Sequence, residues 1–396
     1  MSAAARTADH PADPIAAVTH RDPYPYYADL VAARPIHRDD SLGLWVVCSA
    51  AAVTAVLDSP ACLVRPPAEP VPRVLLGSPG GSIFGRLVRM NEGASHSTMK
   101  PAVSAAATGI ETSVGGQARR WAEHLVKELD PSGDPARVSE FAFRLSAYVL
   151  AGSLGVAPDM LAHTAALVGD FARSIAPAAT SEQLARGNAA AGHLLDTFRA
   201  LLDARGATPP ATLLGALDRA VARAGRADRE DVVANGIGFL SQAYEATAGL
   251  IGNTLVTLGR QGQVRAASQA DGGQLEAIVR EVVRYDPPVQ NTRRFVAQDA
   301  IVAGQAMKAG DVVLVVLAAA NRDPMANPEA SQFDPLRPSR QAFTFGVGPH
   351  ACPGEAVATA IAAAAVRQLL AGGVEPERLA AHVTYRPSAN TRVPAF

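Results

Sequence analysis

The sequence predicts a mainly α-helical protein with a smaller β-rich portion, and three observations carry that reading. From about residue 112 to 265, Ala, Leu and Val recur at spacings of three and four, interrupted near PSGDP, GVAPD and ARGATPP. Runs with β propensity are short and lie toward the two ends of the chain. The 396 residues are 48% hydrophobic and 18% charged, which suits a compact core, and no internal repeat or interdomain linker divides them. One domain spanning 1–396 is therefore expected.

In order along the chain, PYPYYADLVAA predicts a helix and LWVVCS a strand, while the Pro/Gly-rich residues 65–85 predict a loop. Several crossing helices fill the middle of the chain. LEAIVREVVRY predicts a further helix, stopped by Pro287 and Pro288. RRFVA and DVVLVVLAA read as β-prone, an Asn/Asp/Pro-rich stretch as irregular, and a long Ala-rich helix begins near Gly354. A β-prone tail, HVTYRPSANTRVPAF, follows it.

A net charge of −1 gives no general attraction to nucleic acid or anionic membrane. The first residues lack a basic segment followed by an apolar one, and no uninterrupted apolar run reaches about 20 residues, so a cytoplasmic location without membrane or nucleic-acid partners is expected. Cys48, Cys62 and Cys352 are too few and too scattered for a disulfide framework, and no Cys-x-x-Cys pair offers a zinc site.

Cys352 is the exception chemically. It follows a glycine-containing turn and precedes a helix, where the helix dipole and free backbone N–H groups favour thiolate. Gly346 and Gly348 permit a tight turn, Pro353 suits a helix start, and Gly354 allows close approach of a flat ligand. A cysteine so placed is either a buried structural residue or a protected metal ligand. The run Phe345-Gly346-Val347-Gly348-Pro349-His350-Ala351-Cys352-Pro353-Gly354 resembles the haem-binding signature of the cytochrome P450 family at every defined position. The ligation of P450 haem by a cysteine thiolate is a known property of that family.

Three further segments share the resemblance, which together extends from near Asp22 to the last residues. Glu281 and Arg284, three apart on one helix face, form either a surface pair or the family's Glu-x-x-Arg, with Arg337 of QFDPLRP as the third member of a buried structural network. Asn321-Arg322-Asp323-Pro324 matches a common family segment. His96 and Lys100 of SHSTMK resemble the His-x-x-x-Arg that holds the haem propionates, with Lys in place of Arg and Pro101 an unusual successor. Arg294 and His350 complete the cationic set that the resemblance implies.

GIGFLSQAYEATAGLIGNTL resembles the helix crossing the distal face of the haem, with Asp228 expected to cap its start. Aligned on Glu245, Gln242 replaces the usual Ala, Ala243 the usual Gly and Ala246 the first Thr of a Thr pair, leaving Thr247. Residues 242 and 246 share a helix face. In the family, that first Thr hydroxyl aids proton delivery during dioxygen activation. Here either substrate or ordered water supplies the hydroxyl, or Gln242 supports unusual chemistry or approaches the sixth coordination position of the iron. The plainer alternative is that Gln242 hydrogen-bonds a neighbouring backbone or loop.

The resemblance implies haem b held between the distal helix and the cysteine loop, in a monooxygenase that hydroxylates or epoxidises a small or medium organic molecule, free or carrier-bound. Cys352 would ligate the iron and Glu245 would belong to the proton path. Electrons would come from NAD(P)H through separate partners, a ferredoxin and its reductase, because no flavin or iron–sulfur module is found in the sequence. Likeness to the bacterial soluble branch implies secondary metabolism as the setting. Two alternatives remain open: a haem-thiolate protein that binds a ligand or carrier protein without turnover, and a peroxide-driven variant, which the family commonly marks with Arg-Pro where this chain has Glu245-Ala246. Substrate contacts are expected from residues 65–92, 160–190, the distal helix, the stretch after Pro288 and the tail at 388–391.

Overall fold

A computed structural model describes residues 10–176, 179–204, 212–225, 228–264 and 274–396. The expected break at ARGATPP, part of the N-terminal segment and two residues of the 160–190 segment lie outside these ranges.

The chain opens with α1 (Tyr24–Ala33), β1 (Ile36–Asp39), β2 (Leu44–Val47), α2 (Ala50–Leu57) and β3 (Cys62–Leu63). Next come α3 (Pro79–Arg86), α4 (Gly93–Thr108), α5 (Glu111–Leu129), α6 (Pro135–Leu154), α7 (Leu161–Ser174), α8 (Ser181–Asp203), α9 (Leu213–Arg223) and α10 (Arg229–Arg260). The final part contains α11 (Gln274–Tyr285), β4 (Thr292–Val296), β5 (Ala300–Val302), β6 (Gln305–Met307), β7 (Val312–Val315) and α12 (Leu317–Asn321). It ends with α13 (Glu355–Ala371), α14 (Pro376–His382), β8 (Thr384–Tyr385) and β9 (Pro394–Ala395). The mainly helical prediction holds. Among the described residues no single helix is long and apolar enough to cross a membrane.

Two local expectations are corrected. Residues 65–85 are not loop throughout, because α3 occupies the last third, with Pro79 in its first turn and the Ser78 hydroxyl accepting from the Gly81 N–H at 3.1 Å. DVVLVVLAA is strand only as far as Val315, and its last residues enter α12. Helix α4 contains Pro101 in its interior, where one backbone hydrogen bond is lost.

The strands form a five-stranded sheet in the order β1-β2-β7-β4-β3. β2 and β7 are parallel, with Val46 opposite Leu314, and the other pairs are antiparallel. Val46, Val47, Val313, Leu314 and Val315 are fully buried, as a central Val-rich strand pair requires.

Helix α10 is the axis of the helical part. Asp228 caps it through the Glu230 N–H at 3.0 Å, and its 32 residues give a rod of about 48 Å. It packs against α3, α6, α7, α8, α9, α11, α13 and α14. Along one face its side chains are reduced to glycine where the tail crosses. A Cβ on Gly249 would lie 3.0 Å from the Arg392 carbonyl oxygen, and one on Gly252 would lie 2.9 Å from the Pro394 ring.

The tail is fixed from below by Arg392, which is fully buried. Its Nε donates to Asp286 at 2.9 Å, and its terminal nitrogens donate to the carbonyls of Val18, His20 and Arg21. The Arg392 N–H donates to Pro288, the Gln290 N–H donates to Asn390, and Val289 bridges Thr391.

Candidate functional site

The cysteine loop is built on two left-handed glycines. Gly346 and Gly348 both have φ of +71°, and a Cβ on Gly348 would fall 2.0 Å from Asp58 Oδ1. The Gly346 N–H donates to Phe343 at 2.8 Å, and the Cys352 N–H donates to Phe345 at 2.7 Å. Phe345 packs on the main hydrophobic core. The turn thus returns the chain so that Cys352 stands ahead of α13. Gly354, just before α13, turns its N–H to the sulfur at 3.4 Å, and a Cβ there would touch the sulfur at 3.5 Å.

Cys352 is exposed on one side and surrounded by protein on the others. Loss of hydration pushes its thiol pKa up, opposed by the Gly354 N–H and by the positive charges of Lys100 and Arg89. This corrects the expectation that the helix start alone favours thiolate: one long N–H contact does not outweigh burial. A metal cation bound to the sulfur would do so, since coordination deprotonates a thiol outright.

His96, on α4, and His350 face each other with ring centroids 4.1 Å apart, and His350 Nε2 lies 3.0 Å from Glu92 Oε2. Burial, then the charges of His350 and Lys100, hold the His96 imidazole below its ordinary pKa. Burial pushes the Glu92 carboxyl up, but bonds from His350 and the Val64 N–H outweigh it and hold the group below the carboxylate range. Lys100 donates to the Ala351 carbonyl and so holds the cysteine loop directly.

Arg294, on β4, is 7% exposed, and its guanidinium donates to Arg293 O at 2.9 Å and to Thr292 Oγ1 at 3.5 Å. Arg89 was missed in the sequence, where no motif marks it. Its neighbour Val88 donates to Asn235 of α10 at 2.8 Å, while the Arg89 guanidinium acts electrostatically on Cys352. The turn at 86–91 is thereby held to α10 through Asn235 and brings the Arg89 charge near Cys352.

Among the described residues, Arg89 and Arg294 form no ion pair with a carboxylate, and His96 Nε2 and His350 Nδ1 are buried without a hydrogen-bond partner. A buried Arg294, an exposed Arg89 and two buried imidazole nitrogens left in that state fit a flat ligand carrying two carboxylates, with sulfur available to its metal. The residues present therefore fit haem.

The cytochrome P450 family profile matches residues 234–371, which run from α10 through the cysteine loop to the end of α13. The chain belongs to the cytochrome P450 family. It is 29% identical over 273 residues to putative cytochrome P450 133B2 of Xylella fastidiosa (strain 9a5c), covering 68% of each chain. It is 30% identical to the 6-deoxyerythronolide B hydroxylase of Saccharopolyspora erythraea over 62% of this chain and 60% of that one. The fold matches P450BioI in complex with hexadec-9Z-enoic acid ligated acyl carrier protein, with a TM-score of 0.79, 23% identity, and coverage of 94% and 97%. This P450 is a monooxygenase with haem iron as cofactor.

The Glu-x-x-Arg pair is inside this P450, not on its surface. Glu281 and Arg284 are fully buried 2.5 Å apart, and Arg337 lies 3.5 Å from Glu281. Arg340, missed in the sequence, is a nearer partner at 2.8 Å. Burial pushes the Glu281 carboxyl up, but Arg284 and Arg340 outweigh it and hold it below the ordinary range. Arg284 also donates to the carbonyls of Ala330 and Gln332, and Asn321 joins α11 to the cysteine loop through Val283, Thr344 and Phe343.

On α10, Gln242 turns back to donate to the Gly238 carbonyl at 2.9 Å, which is the plainer of its sequence readings. Ala246 is partly exposed and Thr247 is buried. Glu245 accepts a hydrogen bond from the Thr391 hydroxyl at 3.1 Å.

Proposed function

We propose that this P450 is a haem-thiolate monooxygenase that hydroxylates or epoxidises a small or medium organic molecule, with 1–396 as one haem-binding domain and Cys352 as the iron ligand. The observation that carries the reading is that Arg89 and Arg294 form no ion pair with a carboxylate and that His96 Nε2 and His350 Nδ1 are buried without a partner, together with the one cysteine that receives a backbone N–H. Haem iron, when bound, supplies dioxygen activation and transfer of one oxygen atom to substrate.

The chain's own residues perform the remaining tasks. Arg89, Arg294, His96 and His350 hold the propionates. Lys100 and Gly354 fix the cysteine loop, while Phe345 and Gly346 set its turn. Glu245 carries protons on the distal side, where Ala246 has no hydroxyl to offer. Glu281, Arg284 and Arg337, with Arg340, hold the loop beneath the site. Electrons arrive from separate redox partners, a ferredoxin and its reductase.

Reduced protein under carbon monoxide tests the ligation. The expected result is the strongly red-shifted Soret band of thiolate-ligated haem, lost in Cys352→Ala. Retention of that band in the variant overturns the assignment. Consumption of NADH coupled to oxygenated product separates a monooxygenase from a haem protein that binds without turnover.

A carrier-tethered substrate is a second reading, favoured by the likeness to P450BioI, whose fatty acid is bound to acyl carrier protein. Titration of the haem spin state with one acyl group, free and carrier-bound, tests it. Tighter binding of the tethered form supports it, and equal binding removes it.

A further inference from the structure

The loss of the distal hydroxyl at Ala246 is accompanied by a hydroxyl supplied from elsewhere in the chain. Thr391 Oγ1 donates to Glu245 Oε2 at 3.1 Å, and Ser388 Oγ lies 2.8 Å from Thr391 Oγ1. Ser388 Oγ also accepts from the Thr391 N–H at 3.0 Å and the Asn390 N–H at 3.3 Å. Those two bonds use the serine's lone pairs, so its hydrogen is left to point outward from the oxygen. It can go to Thr391 Oγ1 at 2.8 Å or to Asn390 Oδ1 at 3.5 Å, and the shorter contact wins. The donors then run in one direction, from Ser388 to Thr391 to Glu245.

The chain of groups has an inside and an outside end. Thr391 is 8% exposed, Ser388 is partly exposed, and the adjoining Pro387 and Asn390 are exposed. The inner end cannot drift. Arg392, next to Thr391, is fixed by Asp286 and three N-terminal carbonyls, and its own carbonyl accepts from Asn253 of α10 at 3.2 Å. Gly249, one turn beyond Glu245, leaves the room that this close approach needs.

We propose that Thr391 and Ser388 replace the missing hydroxyl of position 246 and form a proton relay from the surface of the tail to Glu245. The relay rests on the reading of Glu245 as the proton carrier. Only protons move: Glu245 would give one on the distal side, where haem, when bound, supplies the reduction of dioxygen, and would take one from Thr391. Thr391 takes one from Ser388, and Ser388 takes one from water. Each hydroxyl gives one proton and accepts one, so neither is consumed. Thr391 and Ser388 thus act through Glu245 as positioning and relay residues.

Thr391→Val keeps the shape and removes the hydroxyl, while Thr391→Ser restores it. Thr391→Val should lower product formed per NADH about tenfold, less than the roughly hundredfold or more of a donor at the reacting atom because Thr391 acts through Glu245, with haem content and the carbon monoxide spectrum unchanged. Thr391→Ser should recover it to within about twofold, and Ser388→Ala should fall between. Independently of turnover, the infrared carboxyl band that disappears in Glu245→Gln should shift in Thr391→Val and return in Thr391→Ser.

A Thr391→Val protein with normal coupling and an unshifted band, alongside an impaired Glu245→Gln, overturns the relay and keeps Glu245. Normal coupling in Glu245→Gln overturns both readings. Equal loss in Thr391→Val and Thr391→Ser assigns the effect to packing and overturns the relay. Should Thr391→Val not load haem, Ser388→Ala decides, because full coupling there leaves no outer link.

Discussion

Arg89 illustrates how little a single residue can announce in a sequence. RLVRMNEG has no spacing that singles it out, and its importance comes from the turn that Asn235 holds against α10, with its guanidinium near Cys352. Arg89→Ala should speed haem loss to an excess of acceptor protein about tenfold to hundredfold, as expected for removal of one charge-assisted bond of about 1.5–3 kcal/mol, with Arg89→Lys intermediate. Gln242 gives the opposite lesson. Its one-turn separation from Ala246 suggested distal chemistry, yet its amide is engaged by Gly238 within its own helix. Gln242→Ala should leave the resting haem spectrum unchanged and alter stability by about 0.5 kcal/mol or less. A changed spin state in that variant would return Gln242 to the distal site.

At the level of elements, the network around α11 sets an acid limit on stability. Glu281 is held below the ordinary carboxyl range, so its contribution is present above the unfolded-state value and is lost as pH falls through the folded-state value. Denaturant titrations from neutral to acid pH should therefore show stability falling on the acid side, and Glu281→Gln should flatten that fall. Glu281→Ala leaves Arg284 buried and unpaired, at a cost of about 3–5 kcal/mol, and should yield little folded protein. Normal folding and haem loading in that variant would contradict the structural role.

The elements also show what local pattern can and cannot convey. Helices with three-and-four periodicity were legible, as was the cysteine loop, because its glycines and cysteine lie within ten residues of one another. Helix α3 was not, because Gly80 and Gly81 argue against helix by propensity. Their presence answers to packing instead: a Cβ on Gly81 would lie 2.0 Å from the Leu75 carbonyl oxygen, and one on Gly80 would lie 2.8 Å from Asn188. Arg340 was illegible for a similar reason, since it reaches Glu281 across 59 residues. The tail at 388–391 was expected to contact substrate, whereas only the folded chain brings Thr391 to Glu245.

Across the whole molecule, Arg392 joins parts of the sequence that meet late. Its contacts with Val18 and His20 close separations of 374 and 372 residues, and closing a loop of that length costs about 5 kcal/mol of chain entropy. Contacts so distant gain little until the intervening chain is already ordered. The order of assembly follows: helices α10 and α13 acquire amide protection first, and the Arg392 N–H, bonded to Pro288, acquires it last. Pulse-labelled hydrogen exchange during refolding should show that sequence. Because the tail follows α13 in the sequence, Thr391 can reach Glu245 only after the cysteine loop and α13 have been made.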